Sequence, residues 1–80
     1  RRLLSYNIKF SLEKLPKKIE SLEADINKFQ EKLAVPNFYE SDPQAFNKAA
    51  DKLKFTEAEL AAAEEEWLKL EILRDEIEQE

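Results

Sequence analysis

An all-α fold, an antiparallel two-stranded coiled coil folded back on itself within one chain, is what this sequence predicts. Three observations carry the prediction. The 80 residues contain no glycine and 39% of them are charged. With Ala, Glu, Lys and Leu dominant, that composition suits long helices, whereas a sheet of this size would want glycine for its turns. Apolar residues recur at alternating spacings of three and four in both halves. The pattern has one long interruption, from Leu33 to Pro43.

Taken in order, residues 1–5 read as the end of a basic linker, with Arg1 and Arg2 its charged part. The chain opens on Arg1 rather than methionine, which suggests a piece of a longer protein. Ser5 is placed to N-cap a helix starting at Tyr6. The first arm, 6–34, carries Ile8, Leu12, Leu15, Ile19, Leu22, Ile26, Phe29 and Leu33, a heptad seam sustained over more than three heptads. Pro16 falls inside it. A proline signals a helix start, yet the heptad phase crosses it without slipping, and Lys17 and Lys18 suit a first turn poorly. Two readings follow: one kinked helix, or a short helix over 6–14 followed by a collinear one over 16–34. The second is preferred, so the arm is expected to be broken or kinked near Pro16.

The tip is placed at 35–42. Pro36 and Pro43 bracket it, and each proline pushes the residue before it toward extended geometry. Ser41 and Asp42 are both N-cap types, Ser41 to Gln44 has capping-box spacing, and Pro43 suits a first turn. The second arm, 43–79, repeats Phe46, Ala49, Leu53, Thr56, Leu60, Ala63, Trp67 and Leu70, then blurs among Leu73, Arg74 and Ile77. About 36 helical residues would span about 54 Å, against about 28 Å for 16–34 alone.

Folding the chain at the tip aligns both seams in one register. Leu33 faces Phe46, Ile26 faces Leu53, Ile19 faces Leu60 and Leu12 faces Trp67. The alternate rung sets Phe29 on Ala49, Leu22 on Thr56, Leu15 on Ala63 and Ile8 on Leu70. Large residues often meet small ones, as interdigitating layers prefer. Residues 6–14 must then be helical to cover Trp67 and Leu70. Glu76, Glu78 and Glu80 oppose the dipole at the C-terminal end, where fraying is expected. The domain 6–80 is thus a helical hairpin, expected to be monomeric, with weak self-association allowed by its small core.

Charge is uneven. Residues 1–32 hold eight Lys/Arg against five Asp/Glu, or +3, and residues 33–80 hold five against thirteen, or −8. The arms attract each other, which favours the intramolecular hairpin. With no cysteine and no histidine, thiolate chemistry, disulfides and the usual general base are excluded. No glycine means no phosphate loop. No apolar run reaches the roughly 18 residues of a membrane span. The carboxylate runs Glu64-Glu65-Glu66 and Asp75-Glu76 read as a solvated face, and no metal site, cofactor or catalytic residue is expected in this chain. Trp67 is expected in the core.

The basic residues are the candidate site. Lys14, Lys17 and Lys18 cluster around Pro16, Lys28 and Lys32 lie one turn apart, and with Arg1 and Arg2 they could contact phosphates without reading sequence. Charged flanks of a coiled coil are the plainer reading of the same lysines. Phe38 is expected to plug the open end of the hairpin. For Tyr39, plugging and exposure as a tip contact remain equally open.

Several stretches together resemble one family: Leu4-Ser5-Tyr6, Leu12 to Glu23 (LEKLPKKIESLE), Pro36-Asn37-Phe38-Tyr39, Asp42-Pro43 with Phe46, and Glu65 to Glu71 (EEWLKLE). The chain looks like the C-terminal coiled-coil domain of ABC-F ATP-binding cassette ATPases, of the Uup-like group, over nearly its whole length. Phe10 stands where that family usually carries a polar or basic residue. The resemblance implies a cytoplasmic parent without a transmembrane part, with two ATP-binding cassettes upstream that hold ATP and Mg and do the hydrolysis. It implies action on the translating ribosome or in DNA transactions and transposon excision, and a nucleic-acid-binding role for this domain toward DNA or ribosomal RNA. One alternative is a structural or protein-interaction hairpin that positions the cassettes or docks a partner. Another is a tRNA-contacting arm like that of valyl-tRNA synthetase, which shares the hairpin and the Phe-containing tip.

Overall fold

The computed structural model describes residues 4–79, so Arg1 and Arg2 lie outside the described residues. Three helices follow in order: α1 (Tyr6–Leu33), α2 (Phe38–Ser41) and α3 (Pro43–Glu78). α1 and α3 pack antiparallel into a rod with extents of 62 × 17 × 14 Å. Among the described residues, no helix is long and apolar enough to cross a membrane.

α1 begins where Ser5 caps it. Ser5 is extended (φ −71°, ψ 160°) and its Oγ accepts a hydrogen bond from the Ile8 N–H at 3.2 Å. The helix then runs 28 residues with Pro16 inside it. The expected division into 6–14 and 16–34 is therefore corrected: there is one helix. A proline in a helix interior costs about 3 kcal/mol. Burial of Leu15 on one side of it and Leu22 beyond offsets this by holding both halves of α1 on α3.

The tip is more ordered than a plain turn. The Ala34 N–H donates to the Gln30 carbonyl at 3.0 Å, closing α1. The chain then passes through Asn37 in the left-handed region (φ 63°, ψ 11°). Asparagine tolerates this region better than other non-glycine residues, and this chain has no glycine to use. α2 is a single turn that follows from it. The capping-box reading of Ser41 is also corrected: Ser41 belongs to α2, and its hydroxyl donates back to the Asn37 carbonyl at 2.6 Å. Asp42 caps α3, its Oδ1 accepting from the Ala45 N–H at 3.1 Å with Pro43 as the first helical residue.

The core lies along the helix–helix seam. Leu15, Leu22 and Ala63 form its buried centre, with Ile19, Leu60, Trp67 and Leu70 packed against it. The one buried polar side chain among the described residues, Thr56, donates its hydroxyl to the Lys52 carbonyl at 2.7 Å and so buries no unsatisfied group. Past Leu70 the seam keeps its phase. Arg74 and Ile77 continue the two rows, Ile77 buried and Arg74 half-buried. Arg74 pairs with Glu71 and lies 3.9 Å from Asp75 and 4.0 Å from Glu78. That cation near the C-terminus partly offsets the acids around it, and α3 continues to Glu78.

Candidate nucleic-acid interface

Every lysine singled out in the sequence is exposed, but they do not form one cluster. Heptad position sorts them. Lys14 and Lys18 occupy one flank of α1, and Lys28 and Lys32 occupy the same two positions two heptads on, about 21 Å along the axis. Ser21 and Asp25 hold the equivalent positions between them. Lys17 turns toward the outer face, about 100° from Lys18.

The two lysine pairs have different neighbours. Lys14 and Lys18 line a hollow with Phe10, Ser11, Leu15 and Glu66, so a carboxylate of α3 sits beside them. The Lys14 ammonium lies over the Phe10 ring, 5.4 Å from its centroid, and Phe10 stacks on Tyr6 at 6.1 Å. The ladder Tyr6–Phe10–Lys14 gives the unexpected Phe10 a role on the helix surface. Toward the tip, Lys32 shares a hollow with Lys48 and Lys52 of α3, floored by Phe29, Ala45 and Ala49. Among the described residues, no carboxylate comes within ion-pair distance of Lys28, Lys32, Lys48 or Lys52.

Lys48 and Lys52 were not among the residues the sequence singled out, because they lie on the acidic arm. The register offered the signal. Once Phe29 faces Ala49, the residues flanking Ala49 on that side fall beside Lys32. The lysine flank thus joins two helices at its tip end and one helix at its far end.

At the tip, Phe38 is half-buried and meets Phe46 edge-on at 5.5 Å, as the plugging reading expects. Tyr39 also meets Phe46 edge-on, at 5.2 Å, yet remains 55% exposed. The Lys32 ammonium lies over the Phe38 ring at 5.9 Å, tying the lysine flank to the tip. Trp67 packs on the core, as expected, and its other edge lines an open apolar groove with Pro16, Ile19, Leu68 and Glu64 on the opposite flank.

The fold and its lysine flank define a class: an α-helical hairpin domain with one basic side. The family model described as the ABC transporter C-terminal domain matches residues 3–72, and the chain belongs to that family. It is also similar to the ATP-binding protein Uup of Escherichia coli (strain K12), with 33% identity over 72 residues. That match covers 90% of this chain but only 11% of the relative's length. The resemblance to the C-terminal domain of ABC-F ATPases is upheld by both findings. No solved structure matches the chain.

Proposed function

We propose that this chain is the accessory nucleic-acid-binding domain of a cytoplasmic ABC-F ATPase, contacting DNA or ribosomal RNA while the parent's cassettes bind ATP and Mg and hydrolyse the nucleotide. The supporting observation is the placement of Lys14, Lys18, Lys28 and Lys32 on one flank of α1, joined there by Lys48 and Lys52. A lysine-rich flank on a stiff rod attracts phosphates without reading sequence. Glu66 and Asp25 interrupt this flank, while Lys32, Lys48 and Lys52 share a hollow that no carboxylate lines. Arg1 and Arg2 would extend the basic contact toward the cassettes, and the hairpin acts as a monomer whose small core allows weak self-association.

Titration of the chain with structured DNA and RNA at low and moderate salt tests this. Binding is expected to weaken steeply with salt, and reversal of Lys14, Lys18, Lys28 and Lys32 to Glu should abolish it. Salt-insensitive binding, or equal binding by that variant, overturns the reading.

A second reading, a hairpin that docks a protein partner or positions the cassettes, draws on the apolar groove of Pro16, Ile19, Trp67 and Leu68. The family match gives no support to the synthetase-arm alternative.

A further inference from the structure

Phe55 is 68% exposed. Unlike Tyr6, Phe10, Phe38, Tyr39 and Phe46, it has no aromatic or cationic partner on its ring among the described residues. It stands on the lysine flank of α3, one turn beyond Lys52 and two beyond Lys48. Together these three line a shallow 390 Å³ hollow floored by Phe29 and Thr56. Lys48 and Lys52 also line the adjoining 180 Å³ hollow with Lys32, so ammonium groups lead from Phe55 toward the tip.

Two carboxylates complete the first hollow, Asp25 on α1 and Asp51 toward the outer face of α3. They stand to either side of the strip that carries Lys48, Lys52 and Phe55. A phosphate backbone would be repelled from both edges and attracted along the middle. Phosphates therefore track the lysines, and the ring is left for a group that is flat, apolar on its face and attached to that backbone.

Building on the nucleic-acid reading, we propose that Phe55 is a stacking platform for an unpaired base of single-stranded nucleic acid, with Lys32, Lys48 and Lys52 on its flanking phosphates. A duplex hides its base faces and could use only the lysines. A single strand can use both, and base–aromatic stacking is tolerant of sequence because every base has a π-face.

Fluorescence anisotropy of the chain with a labelled single strand, in DNA and RNA versions, and with a duplex of the same length tests this at fixed salt. Wild type is expected to bind the single strand more tightly than the duplex. Phe55→Ala should weaken single-strand binding about tenfold and leave duplex binding unchanged. Phe55→Trp should retain it and add a fluorescence quench on binding that wild type lacks. The DNA and RNA arms show which sugar the strip favours. Phe55 is exposed, so circular dichroism should show Phe55→Ala folded as wild type. If Phe55→Ala binds the single strand as wild type does, or loses single strand and duplex equally, the platform is overturned while the lysine reading survives. If wild type binds neither probe, both fall.

Discussion

Two rows of side chains close α1 onto α3, and they are not equivalent. The row that sets Leu15 on Ala63, Leu22 on Thr56 and Phe29 on Ala49 holds nearly all of the buried residues. The row that sets Leu12 on Trp67, Ile19 on Leu60, Ile26 on Leu53 and Leu33 on Phe46 is only half-buried. The difference lies in α3. Ala49, Thr56 and Ala63 recur every seventh residue and are small. They let α1 sink its leucines close to the α3 backbone along one line. Bulky residues on the other line hold the helices apart and leave grooves, including the one beside Trp67. A two-helix rod cannot bury both rows fully, because no third element covers its open sides.

The comparison can be broken most completely at its tight row. Leu22→Asp places an unpaired charge there in a domain with little stability to spare. Loss of the helical circular-dichroism signal at room temperature is expected, and an unchanged melting curve would mean the register is wrong. Ala63→Leu sharpens the comparison. Overpacking should cost about 1–3 kcal/mol in a denaturant melt, whereas the same change at exposed Ala58 should stay within about 0.5 kcal/mol. If the two variants melt alike, the small residues do not set the close approach. The smallest effect is expected at the tip. Asp42→Ala removes the α3 cap at a cost of about 1 kcal/mol, with both rows otherwise intact.

Much of this was legible in the residues. Both seams, their register, the caps Ser5 and Asp42, and the role of Phe38 follow from spacing and from side chains that act on their immediate neighbours. Pro16 was harder. Its local signal is a helix start, and only the packing of residues on both sides of it outweighs that signal. Ser41 joins α2 instead of capping α3 because Asn37 reaches a left-handed conformation that the residue types around it allow but do not demand. The places of Arg74 and Ile77 depend on α3 holding its phase past Leu70. The lysines of α1 were visible from composition. Lys48, Lys52 and Phe55 were not, since they lie on the acidic arm and join the basic flank only across the helix pair.

By itself, then, the sequence determined the hairpin, its two apolar rows and which residue opposes which, because heptad periodicity and helix-breaking residues act over a few positions along one chain. Tertiary structure alone decided that α1 runs unbroken through Pro16, that one row is tight and the other open, and that lysines from two distant stretches share one flank. Those outcomes depend on what a residue meets across the interface. Helix packing sets that through side-chain volume and close approach, and these are properties of the pair of helices together.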